Sequence, residues 1–230
     1  PTPATVLEEA INYAISNGVI VVAAAGNAGE EGMDWPGAYP QVISVGACGW
    51  KYEWYWSGHV APPPRYRLWW LQDSTYGFND IPEPTPASDV YITDFSSREK
   101  MGQDLDVVAP GSWVRGPYAG TPGYAHLPWW SNGQLPPWAA NPGNFFYVGG
   151  TSMATPHVTS VVAMMLEKNS SLAQGTVETI LEATALALSP GSMMVWDLVP
   201  TQGWYTYSWG SDAIGSGLVQ ADDAVAAVPL

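Results

Sequence analysis

No disulfide can form within this chain, because Cys48 is its only cysteine. Cys48 closes the β-favouring run Val42-Ile-Ser-Val-Gly-Ala-Cys48, so it is expected to be a small buried residue. Cations are almost as scarce. Seven Lys and Arg stand against 21 Asp and Glu, a formal net charge of −14. Phosphate binding needs clustered Lys and Arg, so nucleic acid is excluded as an expected partner. No apolar run approaches the ~20 residues of a membrane helix, and no membrane span is expected. Histidine is limited to His59, His126 and His157. A leader peptide and an initiator Met are absent, and Pro1 opens in mid-pattern. The chain therefore reads as a fragment, so the absence of targeting information is uninformative. What is present, 230 residues of which 47% are hydrophobic, suffices for one globular domain with a sizeable core.

The patterning predicts an α/β fold. Residues 5–17 read as an amphipathic helix with Val6, Ala10, Tyr13 and Ala14 on one face, stopped by Gly18. Val19–Ala25 is a continuous apolar run, as in a strand buried on both faces of a parallel sheet. Gln41–Ala47 reads as the next strand, and the helix ending at Gly18 with the buried strand after it is half of a βαβ crossover. Further on, 176–188 and 221–227 read as helices, and 193–209 as an aromatic, strand-like or irregular stretch. Residues 49–91 and 118–144 are rich in Trp and Pro and lack periodicity. They read as long surface insertions, whose tryptophans either form small satellite cores or offer stacking surfaces to glycans or extended peptides.

The chain is organised around Gly149-Gly-Thr-Ser-Met-Ala-Thr-Pro-His157. The run Phe145–Val148 before it is β-favouring. Val158, Val161, Val162, Met165 and Leu166 after it have the spacing of a helix buried on one face. Ser152 thus stands where a glycine-flanked turn feeds a helix. Glycines permit close approach of a substrate backbone, and first-turn N–H groups lack intrahelical partners. The alternative role for Thr151 or Ser152 is a helix N-cap.

The segment Gly150-Thr-Ser-Met-Ala-Thr-Pro-His157 resembles the active-site serine signature of the subtilisin-like serine proteases, the subtilases. Val19-Ile-Val-Val-Ala-Ala-Ala-Gly-Asn27 resembles the strand carrying the family's oxyanion asparagine. Leu105-Asp-Val-Val-Ala-Pro-Gly111 resembles the strand and turn before the serine segment; Asp94-Phe-Ser-Ser97 and Gly217-Leu-Val-Gln-Ala221 add to the match. The resemblance implies a three-layer fold with a mostly parallel sheet flanked by helices, its N-terminal part missing here. Residues 1–230 would then be a partial catalytic domain. It also implies a serine endopeptidase acting on peptides or proteins through an acyl-enzyme, with Ser152 as nucleophile and Asn27 in the oxyanion hole. Ala24, Ala25, Gly26 and Asp34 would line the pocket for the residue preceding the cut. The carbonyls of Pro40 and Val42 with the carboxylate of Asp106 would hold a structural calcium, while the chemistry itself needs no cofactor. An extracellular location is implied in the same way.

The family's Asp-Ser/Thr-Gly and His-Gly-Thr motifs do not occur. His157 follows Ser152 by five residues, and at about 100° per residue it falls on a different helix face. The expectation is that the Asp and His belong to an upstream half of the same catalytic domain, and that this chain alone is inactive. A catalytically dead subtilase-like domain, whose Trp-rich insertions bind glycans or protein partners, is the alternative. An α/β-hydrolase is disfavoured, because Gly150-Thr-Ser-Met-Ala154 lacks the second glycine of the elbow and no other histidine follows Ser152.

Overall fold

The computed structural model describes residues 4–51, 86–112, 114–117, 145–197 and 203–229. The bulk of both expected insertions, 52–85 and 118–144, lies outside them, and so do His59 and His126. The order of elements is α1 (Thr5–Ser16), β1 (Val22–Ala24), β2 (Ile43–Trp50), β3 (Val90–Ile92), β4 (Val107–Pro110), β5 (Val114–Pro117), β6 (Phe145–Val148), α2 (Thr151–Lys168), α3 (Gln174–Thr184), β7 (Gly191–Asp197), β8 (Gly203–Trp209) and α4 (Ala221–Ala227).

β2 is the spine. One edge pairs in parallel with β1 (Val22↔Ile43 to Ala24↔Val45) and then antiparallel with β3 (Cys48↔Ile92 to Trp50↔Val90). The other edge pairs in parallel with β4 (Val45↔Val107 to Cys48↔Pro110). Alternation along β2 and β4 divides the core. Ile43, Val45, Ala47, Val107 and Ala109 face α2 through Ala154, Val158, Val161, Val162 and Met165, with α3 and α4 completing that layer. Cys48, Tyr91, Ile92, Leu105 and Val108 face the opposite way, against Trp209, Ala213 and Ile214. Helices on one face and irregular structure with an aromatic ribbon on the other give the three-layer α/β arrangement. Cys48 is buried, as its setting implied.

Three expectations need correction. The stripe Val6, Ala10, Tyr13, Ala14 is not the buried face of α1. Val6 is 79% and Tyr13 73% exposed, while Ile11 packs with Ala23, Tyr39 and Val42. The apolar run from Val19 yields only three residues of strand, with Val19 exposed and Ala23 alone buried in β1. Finally, α3 runs from Gln174 to Thr184 rather than 176–188. Leu186 leaves the helix to bridge Leu218 antiparallel, and Leu218 pairs in turn with Val108.

The stretch 193–209 forms a two-stranded ribbon, paired from Gly191↔Trp209 to Asp197↔Gly203. Tyr205, Tyr207 and Trp209 line one of its faces at period two, ring centroids 6.2 and 5.7 Å apart. The Trp209 Nε1–H donates to Ser189 O at 3.1 Å.

A buried glutamine stands at the late start of β1. Gln174 Oε1 accepts from the Val21 N–H at 2.8 Å, and its Nε2 donates to Val21 O and Gln41 O, each at 3.0 Å. The side chain takes the place of a neighbouring strand for Val21. Gln174→Ala leaves the Val21 N–H and the Gln41 carbonyl without partners, while Val21 O keeps the Ile43 N–H at 3.1 Å. It is expected to cost about 3 kcal/mol, a fall of about 6–12 °C in the melting midpoint of a domain this size. Gln174→Glu, which keeps the acceptor but loses the donors, should fall between the two in a thermal melt.

Candidate active site

β6 delivers the chain into Gly149-Gly150, and α2 begins at Thr151. Gly150 is the N-cap, with φ 158° and extended ψ, a conformation that disfavours any side chain. Neither Thr151 nor Ser152 is therefore the cap; they are the first two helical residues. Ser152 is exposed, and among the described residues its backbone N–H has no acceptor, as its place in the first turn requires. Pro156 supplies no N–H to the Ser152 carbonyl one turn back.

Asn27 stands just beyond β1, at the carboxyl end of the strand, where open α/β sheets place their ligands. Its Oδ1 accepts the Thr151 backbone N–H at 2.9 Å and lies 3.1 Å from Thr151 Oγ1. An N–H aimed at one end of an amide identifies that end as the oxygen. The Nδ2 donors therefore face the other way, and no described group engages them. Thr151 is itself fully buried. Its hydroxyl accepts the Gly26 N–H at 3.2 Å and lies 3.1 Å from Gly26 O. One side chain thus locks the strand end and the amide to the start of α2. Sequence reasoning missed this role. The sole local signal is that Thr151 adjoins the serine; its partners lie over a hundred residues away.

The predicted pocket residues come together as well. The Asp34 N–H donates to Ala25 O at 2.7 Å. The Asp34 carboxylate lies over Gly26, where a Cβ would collide with it, and Gly37 packs against the Ala24 carbonyl. Ala24, Ala25 and Gly26 therefore form a wall, with Asp34 set against it.

His157 is the only histidine among the described residues. Its Nδ1 lies 2.9 Å from Met153 O on its own helix, so the ring is fastened one turn back along α2.

Asp106 belongs to a separate cluster. It is 4% exposed, and its Oδ2 accepts both the N–H and the hydroxyl of Ser44 at 2.6 Å. Burial still raises the Asp106 carboxyl above its ordinary range. Burial first, then the Asp106 charge, pushes Glu178 up to about 7, and Glu182 is raised for the same two reasons.

The model of the Subtilase family matches residues 2–217. The chain belongs to the subtilase family. M-protease of Shouchella clausii (strain KSM-K16) is 28% identical over 224 residues, covering 97% of this chain and 37% of that protein. Subtilisin BL of Lederbergia lenta is 27% identical over 224 residues, covering 97% of this chain and 52% of that protein. The crystal structure of fervidolysin from Fervidobacterium pennivorans, a keratinolytic enzyme related to subtilisin, superposes with a TM-score of 0.60 at 27% identity. It covers 99% of this subtilase chain and 25% of its own. The chain thus spans about half or less of the relatives it matches.

Proposed function

We propose that this chain carries the nucleophile and oxyanion hole of a serine endopeptidase that cleaves peptides or proteins through an acyl-enzyme. The observation that carries this reading is the Asn27–Thr151 bond. It turns the Nδ2 donors of Asn27 away from the helix start and leaves them, with the free N–H of Ser152, for a developing oxyanion beside the exposed Ser152 hydroxyl. Ser152 attacks the scissile carbonyl, and the two donors hold the resulting charge. A base is still required. His157 is tied to its own helix, so the reading takes the base and its orienting carboxylate from a segment bearing the family's His-Gly-Thr and Asp-Ser/Thr-Gly motifs. Without that segment, the 230 residues are expected to be inactive. Secretion is proposed from the resemblance alone. The second reading, a dead domain whose insertions bind glycans or partners, rests on the same missing motifs. Fluorophosphonate labelling separates the two: Ser152-specific acylation in the protein that carries these motifs supports the peptidase, and none supports the dead domain.

In this reading Ala24, Ala25, Gly26 and Asp34 receive the side chain before the cut. Asp34 is half-buried against Gly26, which favours Lys or Arg there. Profiling on a peptide library should show a basic preference of about tenfold, which Asp34→Ala removes. A preference for Phe or Leu, unchanged by Asp34→Ala, would overturn the assignment.

Calcium is proposed at the carbonyls of Pro40 and Val42 and the carboxylate of Asp106. Among the described residues no three His, Cys, Asp or Glu side chains converge as a metal site, so backbone oxygens must supply most of the ligands. The donor set suits a hard cation. Neither carbonyl accepts a hydrogen bond among the described residues, and Asp104, Glu178 and Glu182 add carboxylate charge near Asp106. The sign of the pH effect follows. Glu178 is raised in the folded state, so its contribution to stability is present below about 4.5 and is lost as pH rises through about 7. Screening at this part-exposed position keeps the contribution near 1 kcal/mol. Calcium competes with the proton, so it should raise the melting midpoint by about 5 °C at pH 8 and by less at pH 5. Asp106→Asn keeps an acceptor for Ser44 and should abolish the increment. Equal midpoints in calcium and chelator at pH 8 would remove the site.

A further inference from the structure

We propose that Ser97 is a positioning residue for the oxyanion donor Asn27: its hydroxyl fixes the peptide group that follows Asn27, as Thr151 fixes the tip of the side chain. This rests on the peptidase reading above.

The segment Asp94-Phe-Ser-Ser97 stands where the sheet leaves a gap. β1 pairs with β2 as far as Val45, and β3 pairs with the same edge only from Cys48. Thr93 and Ser96 take the edge between them. The N–H and hydroxyl of Thr93 donate to Ala47 O at 3.0 and 3.1 Å, and Ser96 Oγ accepts the Ala47 N–H at 2.9 Å. Phe95 is buried in the core. The segment after β3 is thus pinned beside the end of β1, where the Asn27 turn begins. Among the described residues four hydrogen bonds join it to that turn. The Ser97 N–H donates to Gly26 O at 3.0 Å, the Gly29 N–H to Phe95 O at 2.9 Å and the Arg98 N–H to Gly29 O at 3.0 Å. The fourth runs from the Ala28 N–H to Ser97 Oγ at 3.0 Å.

Ser97 therefore holds both peptide groups that meet at the Asn27 Cα. It holds the one before through the Gly26 carbonyl and the one after through the Ala28 N–H. The planes of those two groups set φ and ψ of Asn27, and with them the direction in which its side chain leaves the backbone. Thr151 holds the far end of that side chain at Oδ1. Base and tip together place the Nδ2 donors. Three of the four bonds are main-chain and outlast a substitution at position 97, whereas the bond to Ala28 rests on one hydroxyl oxygen. Ser97 is fully buried, and serine is the smallest side chain that offers an oxygen acceptor there. Without that oxygen the Ala28 N–H has no acceptor among the described residues, and at half-buried Ala28 the peptide turns toward water to find one. Such a turn changes ψ at Asn27. Oxyanion donors act over about 2.7–3.1 Å, and a misplacement of about 1 Å can lower a rate roughly 100-fold.

The test uses the protein that carries this chain together with the family's Asp and His motifs, and compares variants at a temperature where each is folded. Ser97→Ala should lower kcat about five- to twentyfold with KM unchanged within about twofold, because Asn27 acts on charge that exists only in the tetrahedral state. Ser97→Cys keeps a weaker acceptor and should fall between; it carries the test if Ser97→Ala does not fold. Ser96→Ala is the control for stability. It removes an equally buried hydroxyl that bonds β2 and not the turn, while Thr93 still ties the segment there. Its melting midpoint should fall as far as that of Ser97→Ala, with kcat within about twofold of the parent. A double-mutant cycle decides the role: in an Asn27→Ala background, Ser97→Ala should change kcat by less than about twofold, since the group it positions is gone. An unchanged kcat in folded Ser97→Ala, an equal loss in Ser96→Ala, or an undiminished loss in the Asn27→Ala background overturns the positioning role and leaves the peptidase reading standing. A parent protein that neither hydrolyses peptides nor is labelled at Ser152 by a fluorophosphonate overturns both.

Discussion

Ser152→Ala, made in a protein that also carries the family's Asp and His motifs, is expected to abolish covalent labelling by a fluorophosphonate and to lower peptide turnover by about 10⁶-fold, a size taken from a subtilisin in which the equivalent serine was removed. The geometry explains why the loss should be nearly complete rather than partial. Ser152 is the second residue of α2, exposed, and carried on a turn whose glycine cap no other residue replaces at φ 158°. Thr155 and Ser160 do not stand in for it, since each hydroxyl donates to the helix carbonyl four residues earlier, at 2.8 and 2.7 Å. What survives is polarisation by Asn27 and by the backbone N–H at position 152, which remain when the hydroxyl is gone. His157→Gln provides the control for the base. Its side chain is expected to matter only through its bond to Met153 O, so turnover should stay within about threefold of the parent. A loss as large as that of Ser152→Ala would make His157 the base.

Much of the core was legible because it follows period and composition. The strand at 145–148, the helix after Ser152 and the helix at 221–227 stand where composition and spacing put them, and the strand at 107–110 stands where the family resemblance put it. Where the reading failed, the physical cause is long-range. The stripe of Val6 and Tyr13 looks amphipathic, but α1 touches the sheet chiefly through Ile11. Periodicity cannot say which of two apolar faces finds a partner. The run at Val19–Val21 has strand composition, yet a glutamine 153 residues further along satisfies the backbone of Val21. At the site, the nonapeptide and the Ala-Ala-Gly-Asn run were enough to pick out Ser152 and Asn27. The residues that hold them were silent. Thr151 works through Gly26 and Asn27, over a hundred residues away; no local pattern announces a bond across such a separation. The ribbon shows the same limit. The aromatic alternation of 205, 207 and 209 fits a strand, but only the fold puts that strand beside Asn27.

Asn27→Ala is expected to lower kcat by about 10²–10³-fold with little change in KM, the magnitude being that of the equivalent asparagine in a subtilisin rather than one worked out for this chain. The effect belongs to kcat because the donors act on charge that exists only as the carbonyl becomes tetrahedral. The structure adds a test that separates charge from placement. In Asn27→Asp one carboxylate oxygen keeps the bond to the Thr151 N–H, so the helix start stays anchored. The other oxygen then faces the oxyanion and repels it, and kcat should fall below that of Asn27→Ala. Thr151→Ser keeps the hydroxyl, and turnover should hold within a few-fold. Thr151→Val removes the hydroxyl, leaving the Gly26 N–H unpaired at a cost in stability of about 1–3 kcal/mol, and it takes away one of the two donors that hold Asn27 Oδ1, the Thr151 backbone N–H remaining. A lower kcat in Thr151→Val, at temperatures where the protein is fully folded, identifies Thr151 as a positioning residue. If Asn27→Asp instead matched the parent, the charge on that side chain would be irrelevant to the rate, and Asn27 would be no more than the turn residue of Gly26-Asn27-Ala28-Gly29.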